Sequence, residues 1–127
     1  MPHTDEMSVE DYRKLTKPSK YGNKKIEVDG YHFDSLAEAR RYEELRLMEQ
    51  AGAISDLRLQ PRYELQKAFT GNDGKRHRAI SYTGDFAYWE DGKQIIEDTK
   101  GVSTPVFKLK YKLFLYRYPQ LHLRIIK

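Results

Sequence analysis

From Gln94 to Gly101 the chain reads QIIEDTKG: two isoleucines, then two carboxylates, a threonine, a lysine and a glycine. Side chains alternate along a strand, so Gln94, Ile96, Asp98 and Lys100 share one face and Ile95, Glu97 and Thr99 the other. Asp98 and Lys100 then point the same way, about 6–7 Å apart along the strand. Asp85 stands on the preceding strand pattern, RHRAISYTGDFAYWE, and Asp91-Gly92 between the two is the preferred two-residue hairpin turn. A hairpin closed there sets Asp85 opposite Asp98, within the tolerance of a bulge or a one-residue slip. Two carboxylates and a lysine would converge at one end of a sheet.

Convergent carboxylates repel, and they stay ionised when a cation shares the site. Hard oxygen ligands suit Mg²⁺ or Mn²⁺, which keep several waters and bind one or two carboxylates plus a phosphate. An ammonium beside such a metal can orient or help deprotonate a water, which makes a phosphodiester-hydrolysing site. The competing arrangement is a cross-strand salt bridge at a sheet edge, and by spacing alone it is the commoner outcome. Gly101, just after the charged pair, lets another backbone such as a nucleic-acid strand approach closely. On the catalytic reading, Ile95 and Ile96 anchor the strand while its charged end leaves the core and enters a cleft.

The elements that must position these residues follow from turn chemistry and periodicity. Residues 1–24 form an appendage and linker, in which SVEDYRKL has a capping pattern for a short helix and TKPSKYGNKK is rich in turn formers. Residues 25–127 form one domain. KKIEVDGYHFDS alternates about Asp29-Gly30 and predicts a hairpin over Ile26–Phe33. SLAEARRYEELRLMEQAG predicts a helix with Ser35 as N-cap, Gly52 as stop, and an apolar stripe of Leu36, Ala39, Tyr42, Leu45 and Met48. Ser35 and Glu38 also have capping-box spacing, whereas helical phase sets Glu38 on the core-facing stripe. ISDLRLQPRYELQKAF alternates but Pro61 interrupts it, giving an edge strand or two short strands with a bend. TGNDGK is a turn, and RHRAISYTGDFAYWE reads as one long strand. Residues 104–118 predict a helix with Pro105 in its first turn, and LHLRII closes the chain as a strand. The sum is an α/β fold, a mixed sheet flanked by helices.

Composition narrows the function classes. The chain has 127 residues and no cysteine, which excludes disulfides and thiolate metal sites. It has no apolar run of membrane-spanning length and no apolar signal core near its start. An intracellular protein without membrane association is expected. Formal net charge is +4, and no acidic residue follows Asp98, while Lys100, Lys108, Lys110, Lys112, Arg117, Arg124 and Lys127 do. Lys75, Arg76 and Arg78 form a further basic group. A polyanion partner and a merely solvated basic surface both fit this distribution.

Asp85 after Gly84, followed by Asp98-Thr99-Lys100, resembles the motif of the PD-(D/E)XK nuclease superfamily. The segments KYGNKKIEVDGYHFDSLAEARRYEEL, LQPRYEL, YTGDFAYWEDGKQIIEDTKG and KLKYKLFLYRYP, in this order, resemble a family of small phage- and prophage-encoded proteins of unknown function assigned to that superfamily. The similarity covers residues 20–127. It implies a restriction-endonuclease-like mixed central sheet with an α-β-β-β-α-β core and an added N-terminal hairpin. It implies a metal site in which Asp85 and Asp98, with the carbonyl of Thr99, hold Mg²⁺ or Mn²⁺. Glu38 would join that site and position a metal-bound water, and Lys100 would orient and activate the attacking water. Grip on DNA would come from Lys75, Arg76 and Arg78 in the loop and from Lys108, Lys110, Lys112 and Arg117 on the last helix. Stacking by Tyr82, Tyr88, Trp89 and Tyr111 competes with their ordinary role as core aromatics.

Two features depart from the motif. Gly84 stands where proline is usual, and the acidic position is doubled as Glu97-Asp98. Strand phase selects Asp98, and Glu97 would serve only if a bulge shifted the register. Gln60 either hydrogen-bonds near the site or satisfies an edge-strand backbone. The expected activity is a Mg²⁺-dependent DNA endonuclease acting on branched or end structures in recombination or processing, in the cytoplasm of a bacterial host. A homodimer would let so small a chain cut both strands of a duplex. The alternatives are a nucleic-acid-binding module with the same fold but no catalysis, and a structural phage protein whose acidic cluster is a salt-bridge network.

Overall fold

The computed structural model describes residues 25–99 and 104–126. The short helix and linker expected before residue 25 lie outside them, as do Lys100 and Gly101. The chain divides into two compact units, Met1–Leu47 and Met48–Lys127. None of the described helices is long and apolar enough to cross a membrane.

The first unit holds the expected hairpin. Strands β1 (Ile26–Val28) and β2 (Tyr31–Phe33) pair antiparallel, with Ile26 opposite Phe33. Asp29 and Gly30 turn with φ of 54° and 82°, the geometry that matches the twist of a two-residue hairpin. Helix α1 (Leu36–Gln50) starts at Ser35, whose Oγ accepts the Glu38 N–H at 3.1 Å. Tyr42, buried on α1, donates its hydroxyl to Asp29 Oδ2 at 3.0 Å and packs its ring on Phe33 and Tyr31. The predicted stripe is correct at Ala39, Tyr42 and Leu45, but Leu36 is half exposed.

α1 stops as its sequence dictates. Ala53 N–H donates to the Met48 carbonyl and Gly52 N–H to that of Glu49, the paired bonds of a glycine-terminated helix. Gly52 has a φ of 81° and open space where a Cβ would sit. Gly52→Ala should therefore cost only the left-handed backbone penalty, about 1 kcal/mol by chemical denaturation.

The second unit is built on one long, bent antiparallel ribbon. Strand β3 (Ser55–Leu59) pairs with β8 (Phe86–Glu90), and β4 (Arg62–Gln66) with β7 (Ile80–Thr83). Leu59 faces Phe86 and, past the bend, Arg62 faces Thr83 and Tyr63 faces Tyr82, so the register runs on across it. Pro61 breaks one side of the ribbon and Gly84-Asp85 the other. The long strand expected over 76–90 is thereby corrected to three pieces, the first being β6 (Arg76–His77), which closes a small hairpin with β5 (Phe69–Thr70). The break needs Gly84: its N–H donates to the Pro61 carbonyl at 2.9 Å, and an added Cβ would lie 2.8 Å from Ile96 Cγ2.

Strand β9 (Lys93–Asp98) turns back from β8 at Asp91-Gly92, and β10 (His122–Ile125) runs parallel to β9. The result is a four-stranded mixed sheet in the order β10-β9-β8-β3. Helix α2 (Pro105–Arg117), with Pro105 in its first turn as predicted and Thr104 as its N-cap, packs against β4 and β7. Its Phe114 joins Leu65, Tyr82, Ala87 and Ile96 in the core of this unit. The protein is thus a small mixed α/β fold, with β8 and β9 at the centre of its main sheet.

Candidate active site

The β8–β9 hairpin has the register that the Asp91-Gly92 turn requires. Phe86 faces Glu97, Ala87 faces Ile96 and Tyr88 faces Ile95. Carried one step further, this pairing would set Asp85 against Asp98. Instead the Asp85 N–H donates to the Glu97 carbonyl at 2.8 Å, while the Asp98 carbonyl accepts from Ile126 N–H of the neighbouring segment. The pairing therefore slips by one residue where the ribbon bends. The side chain of Asp85 uses the slip: its Oδ2 accepts both the N–H and the hydroxyl of Thr99, at 2.5 and 2.6 Å.

The charged end of β9 does not emerge into a cleft, as its composition suggested. Glu97 and Asp98 are both fully buried. Burial of a carboxylate is costly unless donors meet it, and each finds a tyrosine. Tyr82 donates its hydroxyl to Asp98 on one face of the sheet, and Tyr88 donates to Glu97 on the other. Arg124 on β10 reaches the Tyr88 oxygen at 3.2 Å and Glu90 at 3.5 Å, which extends the Glu97 side into a polar network. The period-2 argument separated the two carboxylates correctly. It did not reveal that both would be enclosed.

Asp85 and Asp98 act on the same phenol. Tyr82 is pushed far above its ordinary ionisation value, first by burial, then by its bond to Asp98, then by the negative charge of Asp98 and of Asp85. Tyr42, in the first unit, is pushed up to about 12 by burial and by its bond to Asp29. Both ionise near 10 in an unfolded chain. Their stabilisation is complete below that value and declines as pH rises above it, for Tyr42 through about 12, because the unfolded state gives up its protons first. In metal-free protein the denaturation midpoint should fall across that window, and Tyr42→Phe or Tyr82→Phe should each flatten the fall. A midpoint constant up to about pH 12 would contradict this origin.

Both carboxylates are oriented through Oδ2 by a neighbouring donor, the arrangement that aims ligating carboxylates at a cation. A carboxylate has about four lone-pair sites, so one such bond does not exhaust it. Two carboxylates from adjacent strands and the carbonyl of Thr99 make a hard, all-oxygen donor set that suits Mg²⁺ or Mn²⁺. Among the described residues, no group of three or more His, Asp and Glu side chains is arranged to hold a metal ion.

The model of a family described as "Protein of unknown function (DUF1064)" matches residues 18–127. The chain belongs to this family. No curated protein and no solved structure matches the chain.

The remaining residues expected at the site of this DUF1064 protein separate clearly. Glu38 lies in the first unit, buried, and its Oε2 accepts the Asp34 N–H at 3.1 Å. It therefore takes the capping role, one residue further back than the box spacing implied. Gln60 serves the backbone alternative: its N–H donates to the Asp85 carbonyl at 2.9 Å, at a φ of 51°, and its side chain is exposed. Lys75, Arg76 and Arg78 are exposed on the β5–β6 hairpin and beyond it, and Lys108, Lys112 and Arg117 are exposed on α2. Lys110 is half-buried and lines a cleft with Tyr82 and Phe107. Of the aromatics considered for stacking, Tyr82 and Tyr88 are core residues, Tyr111 packs on Phe107, and Trp89 is 42% exposed. That Tyr82 and Tyr88 hold the carboxylates, and that Arg124 joins Tyr88, was not read from the sequence. The available signal was that Tyr88 is a diagonal cross-strand neighbour of Glu97.

Proposed function

We propose that this protein is a Mg²⁺-dependent DNA endonuclease of the PD-(D/E)XK type, of phage origin, with a restriction-endonuclease-like core, acting on branched or end structures in DNA recombination or processing. The observation that carries the reading is the meeting of Asp85 and Asp98 at one end of the β8–β9 hairpin, where Asp98 accepts the Tyr82 hydroxyl and Asp85 accepts from Thr99, the residue after Asp98. Asp85, Asp98 and the Thr99 carbonyl would hold the cation. When bound, it would polarise the scissile phosphate and lower the pKa of a water. Tyr82 and Thr99 fix the two carboxylates in place. Lys100 would orient the attacking water and offset phosphate charge. Lys108, Lys112 and Arg117 on α2, with Lys75, Arg76 and Arg78, neutralise the DNA backbone and make binding weaken as salt rises. Cutting both strands of a duplex would take a homodimer.

A second reading has its own observation. Glu38 already closes the start of α1, and both strand carboxylates already have partners, as in a nuclease-like fold kept only for binding nucleic acid. Cleavage of supercoiled, single-stranded and four-way-junction DNA with Mg²⁺ or Mn²⁺ decides between the two. The nuclease reading requires at least one substrate to be cut, and well-folded protein that cuts none would sink it. Mg²⁺ should also raise the thermal midpoint, by an amount equivalent to about 2.7 kcal/mol at a hundredfold excess over its dissociation constant. EDTA should reverse that rise.

A further inference from the structure

Beside the carboxylates lies a cleft of about 380 Å³ between β7 and the first turns of α2. One wall is formed by Ser81, Tyr82 and Thr83 of β7. The other carries Phe107 and, one helical turn on, Lys110. This volume is at the small end of the roughly 300–1,000 Å³ of ligand clefts, enough for a single nucleotide and not for a stacked duplex step. Its chemistry is that of a nucleotide site: a cation for phosphate, hydroxyls for sugar or base edges, and an aromatic side chain whose face a base can cover. The first turn of α2 has no acidic side chain, and its N-terminus favours an anion. Tyr82 belongs to both places, since it lines the cleft and holds Asp98.

We propose that this cleft seats one unpaired nucleotide of a DNA strand, its phosphate on Lys110 and its base against Phe107, next to the carboxylates that Tyr82 orients. The assignment rests on the nuclease reading for the nature of the ligand, and it makes the substrate a single strand, a frayed end or a junction rather than intact duplex. Tyr82 links the two halves: a nucleotide in the cleft sits one side chain from Asp98.

The test is fluorescence anisotropy of the full chain with a short labelled oligothymidylate in Ca²⁺, where binding is read without cutting. The expected result is about tenfold tighter binding than to the same oligonucleotide made abasic, and than to blunt duplex. Lys110→Gln should weaken both strands about tenfold, and Phe107→Leu should weaken only the intact one. Lys93→Gln, an exposed lysine beside the Asp91-Gly92 turn at the far end of β9, should change binding by less than about threefold. Circular dichroism of Phe107→Leu checks its fold, and Lys110→Gln tests the site without touching the core. Equal binding of intact and abasic strands, or equal loss in Lys93→Gln and Lys110→Gln, would overturn the assignment. If these preferences hold but no DNA is ever cut, the nuclease reading fails and the cleft stands; if DNA is cut without them, the cleft alone fails.

Discussion

Asp98→Asn should abolish DNA cleavage while leaving the fold and DNA binding intact. The substitution keeps the shape of the side chain, and its amide oxygen can still accept the Tyr82 hydroxyl. What it removes is the negative charge that would hold a divalent cation. The expected loss is at least about a thousandfold in rate, equivalent to about 4 kcal/mol of barrier. The decisive comparison is Glu97→Gln. Glu97 is as deeply buried, and it too is held by a tyrosine, but it lies on the opposite face of β9 among Tyr88 and Arg124. It should lower stability and leave cleavage within about threefold of the parent, because an amide can accept from Tyr88 but carries no charge for the network. Cleavage lost in Glu97→Gln and kept in Asp98→Asn would reverse the choice of ligand. Cleavage unchanged in both would remove the metal site from β9 altogether.

That comparison has force because strand phase and burial give different information. Alternation alone told Asp98 from Glu97, and both hairpin turns, Asp29-Gly30 and Asp91-Gly92, were legible because only a few residue pairs favour φ above zero at two successive positions. Both ends of α1 were legible for the same kind of reason, since Ser35 and Gly52 satisfy backbone groups locally. The bend at Gly84 was not. Nothing in the alternation of RHRAISYTGDFAYWE records that Pro61, on a strand distant in sequence, must break opposite it. The enclosure of Glu97 and Asp98 was hidden likewise, because Tyr82 and Tyr88 scan as apolar core and their hydroxyls matter only once the register is known. Glu38 shows the limit most plainly: a capping glutamate and a catalytic one share the same spacing, and nothing in that spacing records that Glu38 accepts the N–H of Asp34.

Gly84 offers the second large effect, and it tests why glycine stands before Asp85 where the motif this segment resembles usually has proline. Two independent demands meet there. Its N–H is given to the Pro61 carbonyl, which holds the two sides of the ribbon together at their bend. Its missing Cβ is also required, because that atom would meet Ile96 Cγ2 at 2.8 Å and the Glu97 carbonyl at 3.3 Å. Ile96 is fully buried at the centre of the sheet and the second contact is backbone, so neither neighbour moves aside easily. Gly84→Ala imposes the crowding alone and should cost about 2 kcal/mol. Gly84→Pro imposes the same crowding and removes the N–H, leaving the Pro61 carbonyl without that donor. It should cost a further 1 kcal/mol or so, about 3 in all. Urea denaturation of the two variants against the parent separates the contributions, with the midpoints falling in the order parent, alanine, proline. A proline variant as stable as the parent would mean that the bend tolerates the usual motif residue. In that case the close approach of β7–β8 to Ile96 would not be what fixes glycine before Asp85.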